Sequence, residues 1–565
     1  MWSDSGYFKI DYIVMALASV LGLSALLESL AIEYFVMYGN VWAESVFSLG
    51  SNLNMVLLVL ILCQGFFIGR RGFGVYLLAP VLTTFFLRGW GWSAGLAVGG
   101  LILSIVYLVF EKRIRVFFFW VFALLSLFEL ITALHWLIFY PIGVTSFSVL
   151  AVVENELFYL LVHFSPYLYL LVILYSLATF LRGGYFFPSE CHEVVVKSSR
   201  FNKIFLVLLC FAAVFMAFYP YLGSVNPSDT SLGYDIPDYI ENLDAIDGAP
   251  QEVFSVKEGS RPVIYLLLWV IKTTLGLDSA QTVRVVFTVL NLLMVLSAYY
   301  LVNSLFLDQN LAVISSFFAL FGFPVVVGMS AGFLANLLAL CLENFSLGAL
   351  FTSLRRENSG HLGLAMILGG LVLFTHPWTF DHYTGIMILF GLLAVINHRE
   401  KTLKDTKSRL ILVYIVIMVS AELLRSILFS GIGGTSALGE LAGGLTNLSG
   451  FWESVNISTW FIYGGLYGNS VLIIFALYAL INLNKAKMEE YYLSLFMFST
   501  SIIWVIGNAV IKDRLLYNSP IWLLSSFGLL KILRDSKYGY AEKMFTIFLV
   551  IMQVTYAFRG LANHI

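Results

Sequence analysis

Apolar residues run through this chain in long uninterrupted blocks, and charged or turn residues break the blocks instead of alternating with apolar ones. That pattern predicts helices, because an alternating strand of a membrane barrel would carry a polar residue at every second position. A membrane-crossing helix needs about 20 apolar residues, at about 1.5 Å of rise each, to span a hydrocarbon layer about 30 Å thick. Blocks of this kind fall at Tyr12–Val36, Leu53–Ile68, Phe73–Trp90, Ser93–Phe110, Val116–Tyr140 and Pro166–Leu181. A second series follows at Ile204–Leu222, Thr282–Phe306, Leu311–Val327, Phe333–Leu354, Leu362–Thr375, Tyr383–Ile396, Leu410–Phe429, Phe461–Leu483, Tyr491–Val510, Leu516–Leu533 and Phe545–Phe558. The expectation is an all-α polytopic membrane protein with about 17 transmembrane helices. Residues 1–200 form an N-terminal six-helix membrane block, and residues 201–565 a second membrane domain with a large first external loop at 223–261.

Composition agrees. Of 565 residues 60% are hydrophobic and 12% charged, and 32 basic side chains against 34 acidic ones leave a net charge of −2. There is no basic surplus for a nucleic-acid backbone, so nucleic-acid binding is excluded. The four cysteines (Cys63, Cys191, Cys210, Cys341) lie far apart without a CxxC pair, which argues against both a disulfide framework and a zinc site. Residues 1–11 lack the basic region and cleavage site of a signal peptide, so the first run is expected to be a permanent span.

The basic residues give an orientation. With a cytoplasmic N-terminus, Arg70/Arg71, Lys112/Arg113/Arg115, Arg182 to Lys203, Arg355/Arg356, Arg399 to Arg409, Lys485/Lys487 and Lys531 to Lys543 all fall inside. This parity holds only if Val263–Leu277 does not cross, which places that stretch at the outer interface. Segments 223–261, 376–382, 431–459 and the Lys512-Asp513-Arg514 turn then share the external face of the cell membrane.

The external segment Ser224–Arg261 holds eight acids and two bases, a net of 2 − 8 = −6. Within it, Asp235-Ile-Pro237-Asp238-Tyr239 reads as a helix start, with Asp235 at the N-cap and Pro237 in the first turn. Capping alone accounts for an aspartate there, and a solvated acidic loop is ordinary on an exterior surface.

A resemblance adds a second reading. Asp235, Tyr239, Ala245 and Gly248, then Arg261-Pro262-Val-Ile-Tyr265 with Trp269, Gly276 and Arg284, resemble the first external loop and following helices of the GT-C superfamily. That superfamily of polyprenyl-phosphate-sugar-dependent glycosyltransferases includes the protein O-mannosyltransferases and the lipid A aminoarabinose transferases. Gly328-Met-Ser-Ala-Gly-Phe-Leu-Ala-Asn336 is similar to their middle helices, and Arg514-Leu-Leu-Tyr517-Asn-Ser-Pro520 to their late Arg-containing turn. The similarity covers roughly residues 203–535. It departs at Ile236, where related enzymes often carry a Glu after the Asp.

The resemblance implies a GT-C-like core at 201–565 and transfer of a monosaccharide from a polyprenyl-phosphate donor to an acceptor hydroxyl on a glycolipid, protein or glycan. Asp235 would be the general base, with Asp238 as the alternative carboxylate. Tyr239, Arg261, Tyr265, His376, Asp381 and His382 are the expected substrate-binding residues. Arg514, Lys512, Arg284 and Arg425 are candidates for the donor phosphate, since cations at such depth are costly in lipid and by default face a cavity. Local ion pairing, as between Glu422 and Arg425, is the plainer alternative.

His376, Asp381 and His382, with Asp235, offer nitrogen and oxygen donors for a divalent ion such as Mg or Mn, although their spacing matches no ligand signature. A helix-terminating or sugar-contacting role fits them as well. The Trp-Trp-Asp signature of the oligosaccharyltransferases is absent, which favours a monosaccharide donor. A lipid-linked-sugar flippase or an O-antigen polymerase or ligase is the alternative function, and a noncatalytic scaffold is the third.

Overall fold

The structure is a computed structural model. It describes residues 116, 119–143, 200–228, 233–246, 248–259, 261–397, 406–428, 469–483, 488–506, 517–534 and 539–562. Among these residues every regular element is helical. The first four expected spans of the N-terminal block and its sixth, Pro166–Leu181, lie outside the described residues, as do the segment 431–459 and the Lys512-Asp513-Arg514 turn.

The helices are α1 (Phe119–Ile142), α2 (Arg200–Phe218), α3 (Ile236–Asp244), α4 (Pro262–Leu275), α5 (Ser279–Phe306), α6 (Gln309–Phe321), α7 (Phe323–Ser330) and α8 (Leu334–Arg356). They continue as α9 (Ser359–Thr375), α10 (Pro377–Asn397), α11 (Thr406–Leu428), α12 (Asn469–Asn482), α13 (Met488–Ile506), α14 (Ile521–Arg534) and α15 (Tyr540–Ala562). Among the described residues seven stretches are long and apolar enough to cross a membrane: α1, α2, α5, the α6–α7 pair, α8, α11 and α15. The chain is therefore read as a membrane protein, and the larger span count remains an expectation. At 14 residues α4 extends only about 21 Å, short of the hydrocarbon thickness.

Two compact units divide the chain. In the unit made of Met1–Thr132, Phe147–Leu171 and Ile532–Met552, Phe122 and Ala541 are buried, with Phe119, Leu125, Met544 and Phe545 packed on them. The other unit holds Ala133–Ser146, Val172–Lys531 and Gln553–Ile565. Within it, α8 is the central helix, packed along α9 and α5, while α5 also carries α2 and α6.

Local chemistry fixes the helix ends in this second unit. Asp278 opens α5 with a capping box: its carboxylate accepts the Gln281 N–H at 2.7 Å while the Gln281 side chain accepts the Asp278 N–H at 3.4 Å. Arg355, in the last turn of α8, donates to the carbonyls of Ser304 and Leu305, both at 2.6 Å. Those carbonyls sit in the last turn of α5, where the helix leaves them without partners of its own.

Two boundaries differ from the expectation. The apolar run Leu311–Val327 is not one helix: it breaks between α6 and α7 at Gly322-Phe323-Pro324, because Pro324 has no N–H and takes the first turn of a new helix. Side chains satisfy carbonyls freed by the break, with Gln553 Nε2 donating to Phe321 O at 2.7 Å and Tyr517 OH donating to Pro324 O at 2.8 Å. Residues 376–382 are not a loop either. Pro377 starts α10, so this polar run occupies the residue before a helix and its first two turns.

Candidate functional site

The acidic segment is held against the turn between α7 and α8. Gly233 and Gly332 both adopt left-handed backbone, at φ +103° and +77°, and meet so closely that a Cβ on Gly233 would lie 2.6 Å from the Gly332 nitrogen. A Cβ on Gly332 would in turn fall 2.9 Å from Ile236 Cγ1. Only glycine permits both the backbone angle and the approach. The Asp235 N–H donates to Ala331 O at 3.1 Å across this contact, and Ile236, Tyr239 and Leu243 form the buried face of α3.

Asp235 occupies the N-cap position of α3, as its sequence context suggests, but its side chain makes no capping hydrogen bond. Asp238 lies one turn on and is exposed, whereas Asp235 is half-buried.

Behind these carboxylates is a basic and aromatic support. The Tyr239 hydroxyl accepts from Arg261 Nη1 and from the Ala335 N–H, both at 3.3 Å, and its ring lies 5.7 Å from that of Tyr265. Arg261 precedes α4 and feels opposing influences: burial lowers its pKa, and the Tyr239, Tyr265 and Asp235 side chains raise it to a net increase. Arg261 and Asp235 thus share an electrostatic field. At the far end of α3, Asp244 accepts from Lys272 Nζ at 3.1 Å and is bonded to Ser279, tying α3 to α4 and α5. The Ser279 hydrogen bond, with Lys272, holds the Asp244 carboxyl below its usual range against the opposing effect of burial.

The same α7–α8 turn leads into a cluster of neutral polar groups. Thr379, one turn into α10, donates its hydroxyl to Asn336 Oδ1 at 2.7 Å and lies 3.4 Å from Asn518 Oδ1 and 2.9 Å from His376 Nδ1. His376 Nδ1 also accepts the Thr379 N–H at 3.3 Å, the geometry of an N-cap side chain. Tyr383 OH donates to Asn518 O at 3.4 Å. Tyr517 packs so near α7 that a Cβ on Gly328 would lie 2.6 Å from its hydroxyl. All of these polar residues are buried, so their mutual hydrogen bonds offset the cost of removing them from water.

The remaining candidates separate. Arg425 binds Glu422 on its own helix through two hydrogen bonds, at 2.8 and 2.7 Å. Asp381 precedes the apolar stretch of α10. Burial, reinforced by the nearby Glu422 charge and opposed by Arg425, pushes its carboxyl up to about 6. Arg284 lies 4.5 Å from the ring centre of Tyr221 in a cation–π contact. His382 turns away from His376: its Nε2 lies 3.1 Å from Thr500 Oγ1 and its ring 5.1 Å from Phe496. Lys512 and Arg514 lie outside the described residues. Among the described residues no three His, Cys, Asp or Glu side chains are placed to hold a metal ion, so Asp235, His376, Asp381 and His382 do not converge on one.

Sequence reasoning picked out Asp235, Asp238, Tyr239, Arg261, His376, Asn336 and the Tyr517-Asn518 turn, and the structure groups these on either side of one backbone turn. It missed Thr379, which joins three segments, although a hydroxyl inside a His-Pro-Trp-Thr run is a visible signal. It also missed the Gly233–Gly332 contact, which nothing in the local pattern announces.

No family model and no curated protein matches the chain. Among solved structures, the chain is similar to an oligosaccharyltransferase from Archaeoglobus fulgidus, crystallised in complex with Zn and sulfate. The TM-score is 0.40 and the identity 15% over 62% of this chain. The chain spans about half of that neighbour, 53% of its length. A likeness of this degree defines neither a family nor an activity.

Proposed function

We propose that the protein transfers a monosaccharide from a polyprenyl-phosphate donor to an acceptor hydroxyl at the external face of the cell membrane. The observation that carries this reading is a half-buried carboxylate, Asp235, which makes no capping hydrogen bond, sits on backbone held by a two-glycine contact, and lies within the field of Arg261. A general base needs such a fixed orientation, because its oxygen has to lie within hydrogen-bond reach of the proton it removes.

In this mechanism the acceptor oxygen attacks the anomeric carbon while the Asp235 carboxylate takes the hydroxyl proton. The new glycosidic C–O bond forms as the bond from the anomeric carbon to the phosphate oxygen breaks, with inversion. The polyprenyl phosphate departs with the bonding electron pair, and Asp235 is left protonated. Arg261 tunes Asp235 from behind through the shared field and through Tyr239. Arg514 and Lys512 supply the positive charge for the departing phosphate, helped by Arg284. Glu422 occupies Arg425 in this structure, which makes Arg425 the weakest of the four cation candidates. The neutral cluster at the head of α10 positions the α8 start beneath α3, and no step is routed through a metal ion.

The test is sugar transfer by the purified full-length chain from a panel of radiolabelled polyprenyl-phosphate monosaccharides to a membrane glycolipid and glycoprotein extract. Donor binding is measured in parallel. Transfer from one donor supports the reading and names the sugar. Binding without transfer from any donor points to the flippase or polymerase alternative, and absence of binding removes the reading.

A further inference from the structure

Tyr234 stands between the two best-fixed residues of the acidic segment. Gly233 before it is locked against Gly332, and Asp235 after it is bonded through its N–H to Ala331 O. Although the backbone is clamped on both sides, the Tyr234 side chain is 91% exposed, while the next aromatic of this segment, Tyr239, is 2% exposed. An exposed ring contributes nothing to the core, yet here it is carried on backbone held at both of its neighbours. A Tyr has two side-chain torsions, so a ring on a fixed backbone can bind at low entropic cost.

Its neighbours define what such a ring would receive. Asp235 follows it directly and is half-buried, and Asp238 lies one helical turn further and is exposed, so the segment that presents the ring also carries carboxylate acceptors. A pyranose has the complementary surface: one face of C–H groups, which are drawn to the negative face of an aromatic ring, and a rim of hydroxyl donors. A peptide hydroxyl offers no such face.

We infer that Tyr234 is the stacking platform for a saccharide acceptor, laying the pyranose ring so that one of its hydroxyls is directed at Asp235. This rests on the transfer reading for its purpose, and it narrows the acceptor class from any hydroxyl to a glycan. Tyr234 is a specificity-determining residue in this scheme and carries no proton.

The experiment is saturation-transfer NMR on the full chain in lipid nanodiscs, with methyl α-mannoside as probe and mannitol, which has the hydroxyls without the ring face, as control. Wild type is expected to saturate the ring C–H protons of the glycoside and not those of mannitol. Tyr234→Phe retains the effect, whereas Tyr234→Ala and Tyr234→Leu weaken glycoside binding roughly three- to tenfold. In transfer assays the same two variants raise KM for glycoside acceptors and leave kcat near wild type. Equal binding by Tyr234→Ala overturns the platform, and so does retention by Tyr234→Leu, which would mark the ring as a membrane-interface anchor. Absence of ring-proton saturation in wild type overturns it as well. Saturation without transfer from any donor defeats the transfer reading alone, and transfer indifferent to Tyr234 defeats the platform alone.

Discussion

The α7–α8 turn separates two polar regions that solve opposite problems. On one side, the start of α3 carries ionisable groups that stay half-buried or exposed: Asp235, Asp238 and Arg261. On the other, the head of α10 gathers His376, Thr379, Asn336 and Asn518, each 6% exposed or less. Neutral donors and acceptors can satisfy one another inside an apolar bundle, and doing so fixes three helical segments in register. Charges buried to that depth would cost several kcal/mol each, and the three ionisable groups of the α3 region keep some exposure to solvent. In the proposed transfer reaction the α3 region would supply the reactive group and the α10 region would position it.

Breaking the buried side should have the largest effect on stability. Thr379→Val leaves the Asn336, Asn518 and His376 groups without their shared partner and is expected to cost about 2–3 kcal/mol, read as a lower thermal midpoint in detergent. Gly332→Ala attacks the junction itself. A left-handed backbone angle and a 2.9 Å approach to Ile236 should cost about 1–2 kcal/mol, and hydrogen exchange should quicken at 233–246 first. Tyr239→Phe keeps the ring and removes two 3.3 Å hydrogen bonds, so about 0.5–1.5 kcal/mol is expected. A drop larger than that of Thr379→Val would reverse the assignment of roles.

Acidity sharpens the comparison further. Asp381 has a folded pKa raised to about 6, so its contribution to stability is full below the unfolded carboxyl pKa and is lost as pH rises through about 6. Asp244 is lowered, so its contribution is present above the unfolded value and is lost as pH falls through the folded one. Stability-against-pH curves of Asp381→Asn and Asp244→Asn should therefore depart from wild type in opposite directions. Parallel departures would contradict the electrostatic description of either site.

Much of the helical pattern is legible in the sequence because burial in lipid forces apolar continuity. The run Thr282–Phe306 became Ser279–Phe306, and Phe333–Leu354 became Leu334–Arg356. Where polarity and helix part company, the pattern misleads: His376 to His382 looks like a loop, but Pro377 tolerates a helix start and the polar side chains find partners. The break at Pro324 hides inside a continuous apolar run for the converse reason. Candidate residues such as Asp235 and Asn336 can be chosen by type and context. Their meeting depends on a contact between residues about a hundred positions apart, as when Tyr239 bonds Ala335, and no local period encodes that.

The most direct measurement compares single-turnover sugar transfer by wild type, Asp235→Asn and Asp238→Asn, with donor affinity determined for each. The account predicts that Asp235→Asn slows transfer roughly 10²- to 10⁴-fold at unchanged donor affinity, while Asp238→Asn stays within a few-fold of wild type. Transfer by Asp235→Asn at the wild-type rate, or loss of transfer confined to Asp238→Asn, would contradict it.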